Sequence, residues 1–136
     1  MSRINLARYR MDKARENLKD AEDALARSRF SLSANRSYYA MFTAARGLLA
    51  LKELDSSKHS GVIALFNQYI IKTGLFPKEL SRFLPKAKEI RENADYGDFV
   101  EITKQDAQTQ LENAKKFIEE AERTMNKIIQ EAKYQW

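Results

Sequence analysis

Residues 32–51 read LSANRSYYAMFTAARGLLAL and form the most apolar segment of the chain. Wound as a helix, the segment is apolar over more than half of its circumference. Such a helix is typical of the centre of a bundle or of a subunit interface. The residues responsible are Tyr38, Ala40, Met41, Phe42, Ala44, Ala45, Leu48 and Leu49. We therefore expect an all-α fold organised around this segment.

A long amphipathic helix is predicted on each side of this segment. The first runs from about Asn5 to Arg29, and the last follows Thr103, an N-cap candidate with Asp106 three residues on. Alanine alternates with larger residues in both apolar stripes, at spacings of three and four. The stripes are Ala7, Met11, Ala14, Leu18, Ala21 and Leu25, and Ala107, Leu111, Ala114, Ile118, Ala121, Met125, Ile128 and Ala132. Because alanine lets backbones approach closely, we expect the two terminal helices to pack against each other.

Two shorter helices are predicted between the long ones. The third ends near Lys72, where Gly74 suits the left-handed residue that follows a helix. Pro77 is expected to open the fourth helix and Pro85 to kink or split it. No strand pattern is found. The sequence thus predicts one domain over residues 1–136, a four- to five-helix up-and-down antiparallel bundle.

The composition excludes several classes of site. The 136 residues contain no cysteine and one histidine, which excludes a disulfide scaffold, a zinc-thiolate site and a di-iron bundle. We expect no metal and no cofactor. No apolar run approaches the ~20 residues of a membrane span, which favours a soluble, cytoplasmic protein. The net charge of +5 lies mainly in the first half of the chain and can attract phosphate groups.

A polar line crosses the apolar second helix. Arg36, Tyr39, Thr43 and Arg46 are spaced by three, four and three residues, so they share one face. Because a buried arginine is costly without a partner, the line requires anionic groups. In one interpretation the anionic group is the carboxylate of Asp95 or Glu89 in the fourth helix. In the other it belongs to a phosphate-bearing ligand.

Two further residues are candidates for chemistry. His59, the one histidine, lies in the first turn of a predicted helix and is either a capping residue or a catalytic acid or base. Arg91 lies four residues before Asp95, and the two can form a weak pair on the helix surface. The functional alternative places Arg91 in a cleft as a phosphate ligand, with Tyr96 beside it. No catalytic triad and no glycine-rich phosphate loop are found.

Four short motifs, in this order, make the chain resemble the HEPN family (higher eukaryotes and prokaryotes nucleotide-binding domains). They are SANRSYYAMFTAARGLL at 33–49, KHSG at 58–61, GLFP at 74–77 and IRENADYGDF at 90–99. The resemblance covers nearly the whole chain and is to the small stand-alone prokaryotic branch. It implies a helical bundle, usually dimeric and commonly encoded beside a minimal nucleotidyltransferase as toxin and antitoxin. Many members are metal-independent ribonucleases with an arginine, four to six residues and then a histidine.

The catalytic motif of those ribonucleases is absent. After Arg91, the three positions allowed for the histidine hold Tyr96, Gly97 and Asp98. We therefore favour a module that binds a nucleotide, RNA or a nucleotidyltransferase partner, with Arg36, Tyr39, Arg91, Asp95 and Tyr96 in its cleft.

Two alternatives to this binding module stay open. One is a ribonuclease with a non-standard site formed by Arg91 and His59, and the other is a purely structural interaction protein. We also expect a homodimer, because the family is usually dimeric and because one bundle of this size should not cover the second helix fully.

Overall fold

The computed structural model describes the backbone of residues 2–96 and 101–134 and the side chains of residues 2–93 and 101–132. Within these ranges the fold is a bundle of five α-helices and contains no strand, as the sequence predicts. The helices are α1 (Arg3–Ala26), α2 (Phe30–Leu51), α3 (His59–Phe66), α4 (Phe83–Tyr96) and α5 (Lys104–Tyr134). None of the described helices is both long and apolar enough to cross a membrane.

The second helix is the centre of the bundle. It packs against α1, α3, α4 and α5, and 14 of its 22 residues are buried. Tyr38, Met41, Leu48 and Leu49 are fully buried, and Phe42 and Leu51 are at most 7% exposed. Leu32, near the start of the helix, is 42% exposed, and Phe30 and Tyr39 are partly exposed. One chain therefore covers most of the apolar surface of α2 but not all of it, and the homodimer stays a prediction.

The long helices approach each other closely. All the residues of both predicted stripes are buried or partly buried, and α1 contacts α5 as expected. The most extensive contact of α1 is with α2, however. Gly47 lies at this contact, where an added Cβ would be 3.2 Å from the Ala7 carbonyl oxygen. The Ser33 hydroxyl, also on α2, donates to the Ala21 carbonyl at 2.8 Å.

The helix termini confirm two of the predicted signals. The Asp106 N–H donates to the Thr103 hydroxyl at 3.0 Å, and the Thr103 N–H donates to the Asp106 carboxylate at 3.2 Å. This reciprocal pair is a capping box at the start of α5. Gly74 has φ +82°, and its N–H donates to the Ile71 carbonyl at 3.0 Å, while the next N–H reaches the Ile70 carbonyl at 3.1 Å. These two bonds form a Schellman motif.

The segment between α3 and α4 differs from the prediction. A π-helical turn, Asn67–Ile71, continues α3, and Pro77 precedes a short 3-10 turn, Lys78–Leu80, rather than opening α4. The fourth helix begins at Phe83, so Pro85 lies in its first turn. There the missing N–H costs no helical bond, so the residue need not kink the helix.

Candidate functional site

Three aromatic side chains of α2 form the floor of the candidate site. Tyr38 is fully buried, Tyr39 is partly exposed, and their ring centroids are 5.1 Å apart in an edge-to-face arrangement. Phe42, one turn further along α2, stacks on Tyr38 at 5.6 Å. Because Tyr38 and Tyr39 are neighbours on a helix, their hydroxyl groups diverge toward different elements. We call Tyr38, Tyr39 and Phe42 the aromatic platform.

His59, the first residue of α3, lies against this platform. Its Nδ1 is 2.8 Å from the Tyr38 hydroxyl, and its ring centroid is 4.3 Å from that of Phe42. The ring is also 6.0 Å from the Tyr39 ring. The imidazole is therefore fixed by one hydrogen bond and by contacts with all three rings, and it is only partly buried.

Arginines from two helices occupy the other side of the platform. The Arg91 Nη1 of α4 donates to the Tyr39 hydroxyl at 2.6 Å, and its guanidinium carbon lies 5.2 and 5.4 Å from the centroids of Tyr38 and Tyr39. The Arg36 guanidinium lies 5.8 Å from the Tyr39 centroid, in cation–π range. Its Nη1 is 3.5 Å from the Asn17 amide oxygen of α1. Arg36, His59 and Arg91 thus each lie within about 6 Å of the Tyr39 ring centroid and are partly exposed, and we call these three residues the platform cluster.

Arg46, the last residue of the predicted polar line, belongs to a different network. It forms two hydrogen bonds with the Asp55 carboxylate, at 3.2 and 2.8 Å. Arg10 adds a third contact to the same carboxylate at 3.4 Å and donates to the Arg46 carbonyl at 3.0 Å. Asp55 thus ties the α2–α3 loop to α1 and α2, and this loop leads directly to His59.

The carboxylate that pairs with Arg46 is therefore that of Asp55. For this arginine, the predicted pairing with Asp95 or Glu89 is wrong. Glu89 pairs with Lys86 at 3.6 Å. The predicted binding residues Asp95 and Tyr96 have side chains outside the described residues, so their place in the site stays a prediction.

The environment of the platform cluster shifts two pKa values in opposite directions. Burial lowers the pKa of His59 below its ordinary value, and the positive charges of Arg91, Lys88 and Arg46 lower it further. Burial raises the pKa of Tyr38 well above its ordinary value, although Arg91 opposes this. At neutral pH the site therefore holds a neutral imidazole and a neutral phenol beside the guanidinium groups.

This arrangement has the properties of an anion site. Arginine guanidinium groups form paired hydrogen bonds with phosphate, and partial burial strengthens them. The neutral imidazole offers one ring nitrogen to a ligand, because Nδ1 is engaged by Tyr38. Among the side chains that the structure describes, no three histidine, aspartate or glutamate residues are grouped closely enough to hold a metal ion.

The sequence identified part of this site. It predicted Arg36, Tyr39 and Arg91 as binding residues and named His59 as a candidate, and the structure brings these four together. It missed Tyr38 and Phe42, which were counted as core residues. Their aromatic side chains fit the apolar pattern of α2, so the sequence carried no sign that they also hold His59.

The matches to known proteins agree with the helical fold, and the matched residues include the platform cluster. The HEPN domain family matches residues 7–124. A UPF0332 protein of Thermotoga maritima is 38% identical over 120 residues, which are 88% of this chain and 91% of that protein. A protein of Methanocaldococcus jannaschii named as a candidate toxin is 32% identical, over 79% of this chain and 74% of its own. A second candidate toxin of that organism is 29% identical over 85% of this chain.

His59 gives a direct test of this geometry, because it is the one histidine of the sequence and its ring resonances in an untagged protein are unambiguous. We expect NMR titration to give a pKa below 6.5. Arg91→Gln should raise that pKa, because it removes a nearby positive charge. The control Lys86→Gln removes a charge from the same helix and should leave it unchanged. Equal effects of both variants would contradict the placement of Arg91.

The direction in which pH changes the stability of the fold follows from the lowered pKa of His59. Folding lowers the pKa of His59, so protonation of His59 opposes folding. The contribution of His59 to stability is present above pH 6.5 and is lost as the pH falls through the lowered pKa.

Proposed function

This chain belongs to the HEPN family, and we propose that it is a dimeric HEPN module of toxin type that binds the phosphate groups of RNA or of a nucleotide. Its binding surface is the platform cluster, extended by Asp95 and Tyr96, and residues 1–136 form one domain. The proposal assigns phosphate binding to Arg36 and Arg91, and it assigns to Tyr39 the orientation of both arginines.

One observation carries the proposal: guanidinium groups from two helices lie over the same tyrosine ring. Arg36 and Arg91 are both within 6 Å of the Tyr39 centroid and are partly exposed. A bound anion can accept hydrogen bonds from both guanidinium groups. The neutral state of His59 avoids a third positive charge before the ligand arrives. A phosphate group is the anion whose geometry suits two arginines.

The biological role is proposed from the relatives. Two of them are named as candidate toxins. The resemblance to the small prokaryotic HEPN branch implies pairing with a minimal nucleotidyltransferase. We propose the same kind of partner here. The homodimer is proposed on the family resemblance, because one chain already covers most of the apolar surface of α2.

The binding proposal is tested by fluorescence anisotropy with a labelled single-stranded RNA at low salt. We expect Arg91→Gln and Arg36→Gln each to weaken binding about tenfold, which corresponds to ~1.4 kcal/mol. Each should also reduce the slope of log affinity against log salt by about one, since one phosphate contact is lost. Arg8→Gln is the control, because Arg8 is exposed on α1 and its substitution removes the same charge from the protein. Equal losses of affinity in all three variants would mean that RNA binding depends only on net charge, which would contradict the proposal.

A second candidate function is metal-independent cleavage of RNA, and the observation that favours it is the position of His59. In this reaction the ribose 2′-hydroxyl attacks the adjacent phosphorus and the 5′-oxygen leaves. A base must take a proton from the 2′-hydroxyl, and an acid must give one to the 5′-oxygen. His59 is suited to one of these roles, and Arg91 is suited to stabilise the developing negative charge.

The chemistry is incomplete in the described part of the platform cluster. That part holds no second group with a pKa near 7, because the pKa of Tyr38 is raised and a free tyrosine already titrates near 10. Loss of one general acid or base typically costs ~10²–10⁴-fold in rate. We therefore rank binding above cleavage.

Cleavage is tested with labelled single-stranded RNA in EDTA, beside Arg91→Ala and His59→Ala. We expect the parent protein to cleave poorly or not at all. An RNA with one 2′-deoxy position serves as the substrate control, since the attack described above cannot occur there. Robust cleavage that is lost in Arg91→Ala would overturn the ranking, and loss in His59→Ala as well would establish the ribonuclease.

A further inference from the structure

A cavity of about 500 Å³ lies between α3, its π-helical turn and the start of α4. Its size is within the range of small-molecule sites, which are usually 300–1,000 Å³. The lining residues that matter here are Ser60, Ile63, Ala64, Asn67, Leu84 and Lys88. None of these residues belongs to the platform cluster, although the charge of Lys88 contributes to the lowered pKa of His59.

The lining combines apolar walls with a few polar groups. Ile63 and Ala64 of α3 face Leu84 and Pro85 of α4 across the cavity. The Asn67 amide and the hydroxyl of Ser60 supply hydrogen-bond donors and acceptors at its two ends along α3, about 10 Å apart at 1.5 Å per residue. A nucleobase has the complementary chemistry, because its faces are apolar and its edges carry donors and acceptors.

The π-helical turn is a second observation at the same place. Asn67 is its first residue, and the Lys72 N–H donates to the Asn67 carbonyl at 2.9 Å, five residues apart. Such turns are rare inside α-helices and occur frequently at functional sites. Here the turn forms one wall of the cavity and carries the amide that lines it.

The cavity lies beside the platform cluster, although no residue of the cluster lines it. Ser60 follows His59 directly, and Lys88 lies one helical turn before Arg91, so these two lining residues are at the end nearest the cluster. Glu92 holds the Lys88 ammonium at 2.7 Å and fixes it at that end. A ligand that fits both regions is anionic at one end and is a flat, mostly apolar heterocycle at the other.

We infer that this cavity is a subsite for the base of a nucleotide whose phosphate lies on Arg91. The inference rests on the proposed phosphate site and deepens it. It makes the ligand a single-stranded or free nucleotide, because a base paired in a duplex is not available to enter a cavity.

The test uses isothermal titration calorimetry with the four nucleoside 5′-monophosphates and with ribose 5-phosphate, which lacks only the base. We expect at least one of the nucleotides to bind the parent protein about tenfold more tightly than ribose 5-phosphate. Ala64→Phe fills the cavity from an exposed position and should abolish this difference while leaving ribose 5-phosphate binding unchanged. Gln68→Phe adds the same ring at an exposed position of the π-helical turn that does not line the cavity, and it should preserve the difference. Thermal unfolding of both variants verifies that they are folded.

The outcomes separate the subsite from the phosphate site. If all four nucleotides and ribose 5-phosphate bind the parent equally, the subsite is overturned and the proposed function stands. If none of the five ligands binds, the phosphate site itself fails for free nucleotides, and the inference fails with it. If Ala64→Phe preserves the difference but changes the mass in light scattering, the cavity is an interface between copies of this chain, and the inference is overturned.

Discussion

The fold depends on the burial of α2 among the other four helices. A helix buried on most sides has few positions for polar groups, and each buried polar group must find a partner. Tyr38 and Tyr39 lie at such positions. The Tyr38 hydroxyl forms a hydrogen bond with His59 of α3, and the Tyr39 hydroxyl accepts one from Arg91 of α4. The two hydrogen bonds therefore do more than satisfy the tyrosines. They attach both shorter helices to the central one at a single place, which becomes the candidate site.

Charge is distributed around this place in two separate networks. Arg46 and Arg10 are neutralised by Asp55, so the basic residues nearest the α2–α3 loop hold structure together. Arg36 and Arg91 instead share an uncharged tyrosine ring, and the described contacts of Arg36 are with neutral groups. Burial favours the neutral form of His59 by lowering its pKa, and the positive charges of Arg91, Lys88 and Arg46 lower it further.

The sequence predicted the parts of the fold that depend on periodic or local signals. The alanine-rich stripes, the capping box at Thr103 and the left-handed Gly74 each follow from residues close together in the chain. The start of α4 was misplaced, because a proline is tolerated throughout the first turn of a helix and Pro77 and Pro85 gave equally good signals. The π-helical turn left no trace, because Asn67–Ile71 continues the apolar spacing of α3.

The candidate site was predicted less completely, for a related reason. Polar residues in an apolar helix, such as Arg36, are conspicuous, whereas Tyr38 and Phe42 are indistinguishable from ordinary core residues. The pairing of Asp55 with Arg46 was not predicted, since the path of a loop cannot be derived from its composition. Contacts between residues far apart in the chain therefore account for most of what the sequence did not show.

Arg36, His59 and Arg91 lie on three helices, and we propose that they form one ligand site. Isotope labelling of the arginine and histidine side chains allows NMR to follow each of them while single-stranded RNA is added. We expect the side-chain resonances of all three to shift along one binding curve, while those of exposed Arg8 stay in place. Separate curves for the three residues, or shifts at Arg8 without shifts at Arg91, would contradict it.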